Sequence, residues 1–180
     1  MDVILKHEPM TIPTYEPYAA NTLPFFLEKK AYQGATGRIY PVPYTDRLSN
    51  KPVDKEYDSY TLENEHVKVV LLPELGGKIH GAVDKHNNYE FIYQNTVIKP
   101  AMVGIAGPWV SGGVEFNWPQ HHRPTTFMPL EATPKKNADG SVTVWMGEAE
   151  PFHRMRGMVG ITVSPGRSYV EAKAVVYNRT

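Results

Sequence analysis

The stretch "SYVEAKAVVYN", Ser168 to Asn178, alternates. Tyr169, Glu171 and Lys173 fall on one face of an extended chain, and Val170, Ala172 and Ala174 fall on the other. That period of two marks a β-strand, and similar runs recur at short intervals upstream. They are "VILKHE", "GRIYPV", "YDSYTLEN", "HVKVVLLP", "GKIHGAV", "YEFIYQN", "SVTVWMGEAE" and "GMVGITVS". Turn sequences separate them: "KHNNY" after Asp84, "NADGS" up to Ser141 and "SPGRS" after Val163. The 16 prolines and 14 glycines suit many turns and oppose long helices. No helical periodicity of three turns or more is present. The expected fold is therefore all-β, an antiparallel sandwich or barrel rather than a parallel α/β sheet.

The chain divides into two parts. Residues 1–55 are rich in Pro and Tyr and poor in periodicity, and read as an ordered, meandering arm with one or two strands. Residues 56–180 carry the regular strand pattern and read as the sandwich domain. "VEAKAVVYNRT" stops in mid-strand, so the expectation is a domain cut at residue 180. Such a piece would leave open sheet edges and would pair with itself or with a missing C-terminal half. "NRT" (178–180) matches a glycosylation sequon but reads as chance.

Composition removes several function classes. Lys+Arg and Asp+Glu are equal at 19 each, which gives no electrostatic case for nucleic acid or an anionic membrane. Cysteine is absent, so disulfides and thiolate chemistry are absent too. "MDVILKHEPMTI" lacks the h-region of a signal peptide, and the expected location is cytoplasmic. No Gly-x-Ser-x-Gly, P-loop or dinucleotide fingerprint occurs, and no cofactor is expected.

Polar and aromatic groups concentrate in "GPWVSGGVEFNWPQHHRPTTF", Gly107 to Phe127. Gly112 and Gly113 let the backbone approach closely either a neighbouring strand or a ligand. "PELGGKIHG" (Pro73–Gly81) offers a second Gly-Gly, read as a hairpin turn or bulge. Glu115, between Val114 and Phe116, is expected to be partly buried, and so must be paired or hydrogen-bonded. It would either meet an arginine or accept from a ligand hydroxyl. Trp118 and Trp109 could stack on a sugar face or pack in the core, and Asn117 adds a donor and an acceptor. His121 and His122 are adjacent and so point to opposite faces of a strand. No metal-ligating spacing exists among the histidines, and no metal is expected, although His80 and His153 could join such a set. A neutral imidazole at a hydroxyl or ring oxygen is the better use, with His122 the choice for the cleft. Arg123 supplies a planar donor fork. "FHRMRG" (Phe152–Gly157) is read as a solvated strand edge.

The runs "LENEHVKVVLLPELGGKIHGAVDKHNNYEFIYQN" and "GIAGPWVSGGVEFNWPQHHRPTTFMPL" resemble the opening half of a galactose-mutarotase-like supersandwich. More narrowly, the chain resembles a bacterial family of uncharacterised function. That family has an N-terminal mutarotase-like module, often followed by further β-domains and tetratricopeptide-type repeats. The resemblance implies that Gly112 and Gly113 match the Gly-Gly of the sugar epimerases and that Pro119 matches their proline. It further implies that one of His121 or His122 matches their sugar-contacting His, and Arg123 the arginine after it. The spacing departs, since epimerases place two residues between His and Arg. The epimerases' second His and base Glu lie beyond the part of the domain matched here. The implied function is binding of a sugar or oligosaccharide in a concave cleft, with Glu115 and His122 as catalytic candidates for an aldose epimerase or glycoside hydrolase. A non-catalytic carbohydrate module of a larger protein and a structural domain are the two other classes.

Overall fold

The structure, a computed structural model, describes residues 2–20, 45, 47–104, 107–118, 124–150 and 154–178. Among these residues the chain forms antiparallel sheets joined by turns and two short 3-10 segments, Pro73–Leu75 and Pro124–Phe127. The fold is all-β, a sandwich of two main sheets. The first sheet is a five-stranded meander of β1 (Ile4–Thr14), β2 (Val53–Glu63), β3 (Val67–Leu72), β4 (Lys78–Asp84) and β5 (Tyr89–Ile92), in that spatial order. A short two-stranded ribbon follows, β6 (Ala101–Gly104) with β7 (Gly107–Trp109). The second sheet is β8 (Glu131–Lys136), β9 (Val142–Ala149), β10 (Arg156–Val163) and β11 (Glu171–Tyr177), again each beside the next.

The core follows from the alternation. Tyr60, Leu62, Val67, Val69, Leu71, Ile79 and Ala82 from the first sheet meet Val142, Val144, Met146, Ile161 and Val163 from the second. A second cluster lies on the opposite face of the first sheet, where Ile12, Tyr57 and Leu72 pack with Leu75, Ile98 and Val110. The segment after β5 thus covers that face. This is why "VKVVLL" in β3 is apolar at five positions of six: the strand is buried on both sides.

Two polar devices fix the strands in place, one between the sheets and one within the first. Asn64 is fully buried in the β2–β3 turn. Its carbonyl oxygen accepts from the His66 and Val67 backbone N–H groups, and its amide donates to the carbonyls of Ser164 and Arg167 in the β10–β11 turn. Thr14 ends β1: its hydroxyl donates to the Ile12 carbonyl at 2.9 Å and lies 3.0 Å from the Tyr57 hydroxyl. Burial raises the Tyr57 pKa and the Thr14 contact partly offsets it. Thr14→Val should leave the buried Tyr57 hydroxyl without this partner and cost about 1–2 kcal/mol, read as a lower urea midpoint at unchanged slope.

The strand pattern departs from the sequence reading in three places. β1 runs on through Pro9 and Pro13 to Thr14, because an edge strand need not donate every N–H. β8, "EATPKK", is likewise an edge strand containing Pro134, and with β6 and β7 it was not among the expected runs. In β11 the expected apolar face is not covered: Ala172 and Ala174 are exposed, with only Val170 just before the strand partly packed on the core. The expected strand "GRIYPV" (37–42) lies outside the described residues.

Candidate functional site

The site is built on the edge of β4. Its upper half pairs with β5, from Ala82 to Asp84. Its lower half takes the chain that carries Gly112 to Trp118. Ile79 and Val114 form an antiparallel bridge, with the Val114 N–H donating to the Ile79 carbonyl at 2.8 Å and the Ile79 N–H returning one at 3.1 Å. Gly112 and Gly113 make this approach possible, with φ of 80° and 68°. A Cβ on Gly113 would overlap the Ile79 carbonyl oxygen, and one on Gly112 would lie 2.7 Å from the Asn95 amide nitrogen. The Asn95 amide in turn donates to the Ser111 carbonyl at 2.7 Å. The glycines therefore admit a neighbouring strand and a side chain.

β4 carries a bulge at the same place. Val70 pairs with Gly81 and Leu71 with Ile79, which leaves His80 as the extra residue. Such a bulge re-aims a side chain and is common beside functional sites. His80 is 3 % exposed and Lys78 4 %. The Lys78 ammonium donates to the Val110 carbonyl at 2.9 Å. Burial pushes its pKa down to about 8, and the Glu115 carboxylate partly offsets this. Burial also pushes the His80 imidazole down to about 4, with the Lys78 charge adding to the effect. His80 is thus neutral at pH 7. Its lowered pKa means that the unfolded chain binds more protons between pH 6.5 and 4, so this contribution to stability is lost as pH falls through that window.

The structure divides the residues singled out in the sequence. Glu115 stands half-buried at the β4 wall, in the field of Lys78. Trp109 is half-buried at the end of β7 and precedes Val110, whose carbonyl holds Lys78. Trp118 instead leans on the second sheet, where its ring covers Gly157 on the core side of β10 and would be overlapped by a Cβ there. Asn117 is exposed. His121, His122, Arg123, Pro119 and His153 lie outside the described residues. Lys78, absent from the sequence-derived set, is the most deeply buried cation of the wall. Among the described residues no group of three or more His, Asp or Glu side chains could hold a metal ion.

The family model described as Domain of unknown function (DUF5107) matches residues 35–180. The chain belongs to the DUF5107 family. The match takes in β4, its bulge and the whole Gly112–Trp118 segment. The DUF5107 chain is also similar to the crystal structure of a TPR-domain containing protein from Parabacteroides distasonis, with 27% sequence identity and a TM-score of 0.87. That likeness covers 99% of this chain and 30% of the other, so the chain spans under a third of that protein's length.

Proposed function

We propose that the domain binds a sugar at the wall formed by β4 and the Gly112–Trp118 segment, as a carbohydrate-active protein of the mutarotase-like type. The observation that carries this reading is the grouping of Lys78, His80 and Glu115. Two deeply buried ionisable groups and a half-buried carboxylate meet where the sandwich could have been closed by apolar side chains. Sequence places Trp118, His121, His122 and Arg123 directly after Glu115. Half-buried Glu115 offers an acceptor to a sugar hydroxyl, and the buried cationic Lys78 and neutral His80 set the electrostatics around it. For catalysis, Glu115 would serve as base and His122 as acid at the anomeric centre. One carboxylate beside imidazoles suits anomer interconversion better than hydrolysis, which uses two carboxylates.

The reading as a non-catalytic sugar-binding module has its own support. The similar solved protein is more than three times as long and contains a TPR domain, so a module serving other domains is a natural role. The structural reading draws on Trp118, whose ring packs on Gly157.

Calorimetric titration with D-glucose and D-galactose tests the proposal. Glu115→Gln should weaken the better sugar about tenfold, since a hydrogen bond to a charged group is worth about 1.5–3 kcal/mol. Exchange spectroscopy between the two anomers then separates epimerase from module. Absence of binding by the wild-type chain would leave the structural reading in possession.

A further inference from the structure

The second sheet carries another concave surface, on the side away from the core. Val142, Val144 and Met146 of β9 point into the sandwich. The alternating residues Trp145 and Gly147 therefore face outward. Register places Thr133 and Gly160 beside Trp145, Glu131 and Met158 beside Gly147, and Arg156 beside Ala149. All of these but Gly160 line an open groove of about 780 Å³ running over β8, β9 and β10. Its floor is an aromatic plate. A Cβ on Gly160 would lie 2.9 Å from three atoms of the Trp145 indole, so the ring lies over the glycine, half-exposed on its other side.

We propose that this groove binds a neutral oligosaccharide chain, with Trp145 as the stacking platform. The chemistry selects the occupant. A flat indole receives the C–H face of a pyranose ring. The Thr133 hydroxyl, the Glu131 carboxylate and the Arg156 guanidinium stand around it as acceptors and donors for the ring's hydroxyls. Glu131 and Arg156 carry opposite charges, with Lys135 and Glu148 also at the rim, so no single sign of charge recruits a polyanion or polycation. The groove crosses three strands, roughly 10 Å at ordinary strand spacing, and is open along its length. That suits several linked rings rather than one enclosed monosaccharide. The surface uses none of the residues of the β4 wall.

The three tryptophans give the test its resolution. The ¹⁵N-labelled 180-residue chain shows one indole N–H resonance each for Trp109, Trp118 and Trp145, assigned with Trp145→Phe. Cellohexaose and maltohexaose are titrated separately. The Trp145 resonance should shift and saturate with at least one of them, and Trp145→Ala should weaken that binding about tenfold. Arg156→Ala and Thr133→Val, rim substitutions on exposed strand positions, should each weaken it several-fold and cover the case in which Trp145→Ala does not fold. Movement of Trp118 or Trp109 alone would assign sugar binding to the β4 wall and overturn the groove. No movement with either hexasaccharide would overturn it as well. So would a Trp145 shift produced by raising protein concentration alone, which would identify a second copy as the occupant.

Discussion

Gly113→Ala is expected to unfold the domain or to destabilise it by about 4 kcal/mol or more, at the upper end for single substitutions. Two effects add. Residue 113 has φ of 68°, which costs an L-residue about 1–2 kcal/mol. The new methyl would also overlap the Ile79 carbonyl oxygen, and that oxygen is fixed by the hydrogen bond from Val114. Relief requires opening the Ile79–Val114 bridge, and with it the β4 wall. Gly166 supplies the control. Its φ is also 68°, but a Cβ there would find nothing nearer than the Glu65 carboxylate at 3.8 Å. Gly166→Ala should therefore cost only the backbone term, about 1–2 kcal/mol. Urea unfolding of the two variants isolates the steric part, and equal losses would show that the close approach at β4 is not as described.

Between pH 8 and pH 10 the folded domain should gain about 2 kcal/mol of stability from Lys78. The folded pKa is about 8 against an ordinary 10.5, so the unfolded chain binds more protons in this window and stability rises with pH. At pH 7 the same shift is an unfavourable contribution of about 3 kcal/mol. Above pH 10 the trend turns, because burial raises the pKa values of Tyr57 and Tyr60 and their ionisation favours unfolding. Lys78→Met should abolish the rise and make the domain more stable at pH 7 by about 1–3 kcal/mol, despite losing the hydrogen bond to Val110. Chemical unfolding at half-unit pH steps measures both. A flat wild-type profile between pH 8 and pH 10 would place the ammonium in water.

The parts of the fold legible in the sequence are those governed by local alternation. β2 to β5 and β9 to β11 coincide with runs of period two or with apolar β-branched stretches bounded by turn residues. β8 and the far half of β1 were hidden because Pro134, Pro9 and Pro13 speak against a strand until the strand is known to lie at an edge. At the site, the need for a close backbone approach at Gly112 and Gly113 could be read, but not what approaches. Ile79 is more than thirty residues away, and no local pattern pairs it with Val114. Lys78 was missed for the same reason. In "GGKIHG" the polar residues alternate with Ile79 as on a solvated strand face, and only the fold shows that Ile98 and Val110 lie against that face. Trp118 satisfied both a binding and a packing reading in the sequence. The bare Gly157 that receives its ring lies on a distant strand.

The sugar site proposed at the polar wall of β4 would be retained at the expense of stability. The most direct measurement is a sugar titration at pH 7 that follows the Lys78 ε-methylene and the His80 ring protons by NMR. Both sets of resonances should move with D-galactose or D-glucose, saturate with one dissociation constant, and require more sugar in Glu115→Gln. Resonances that stay in place up to about 100 mM of either sugar, well past millimolar affinity, would contradict it.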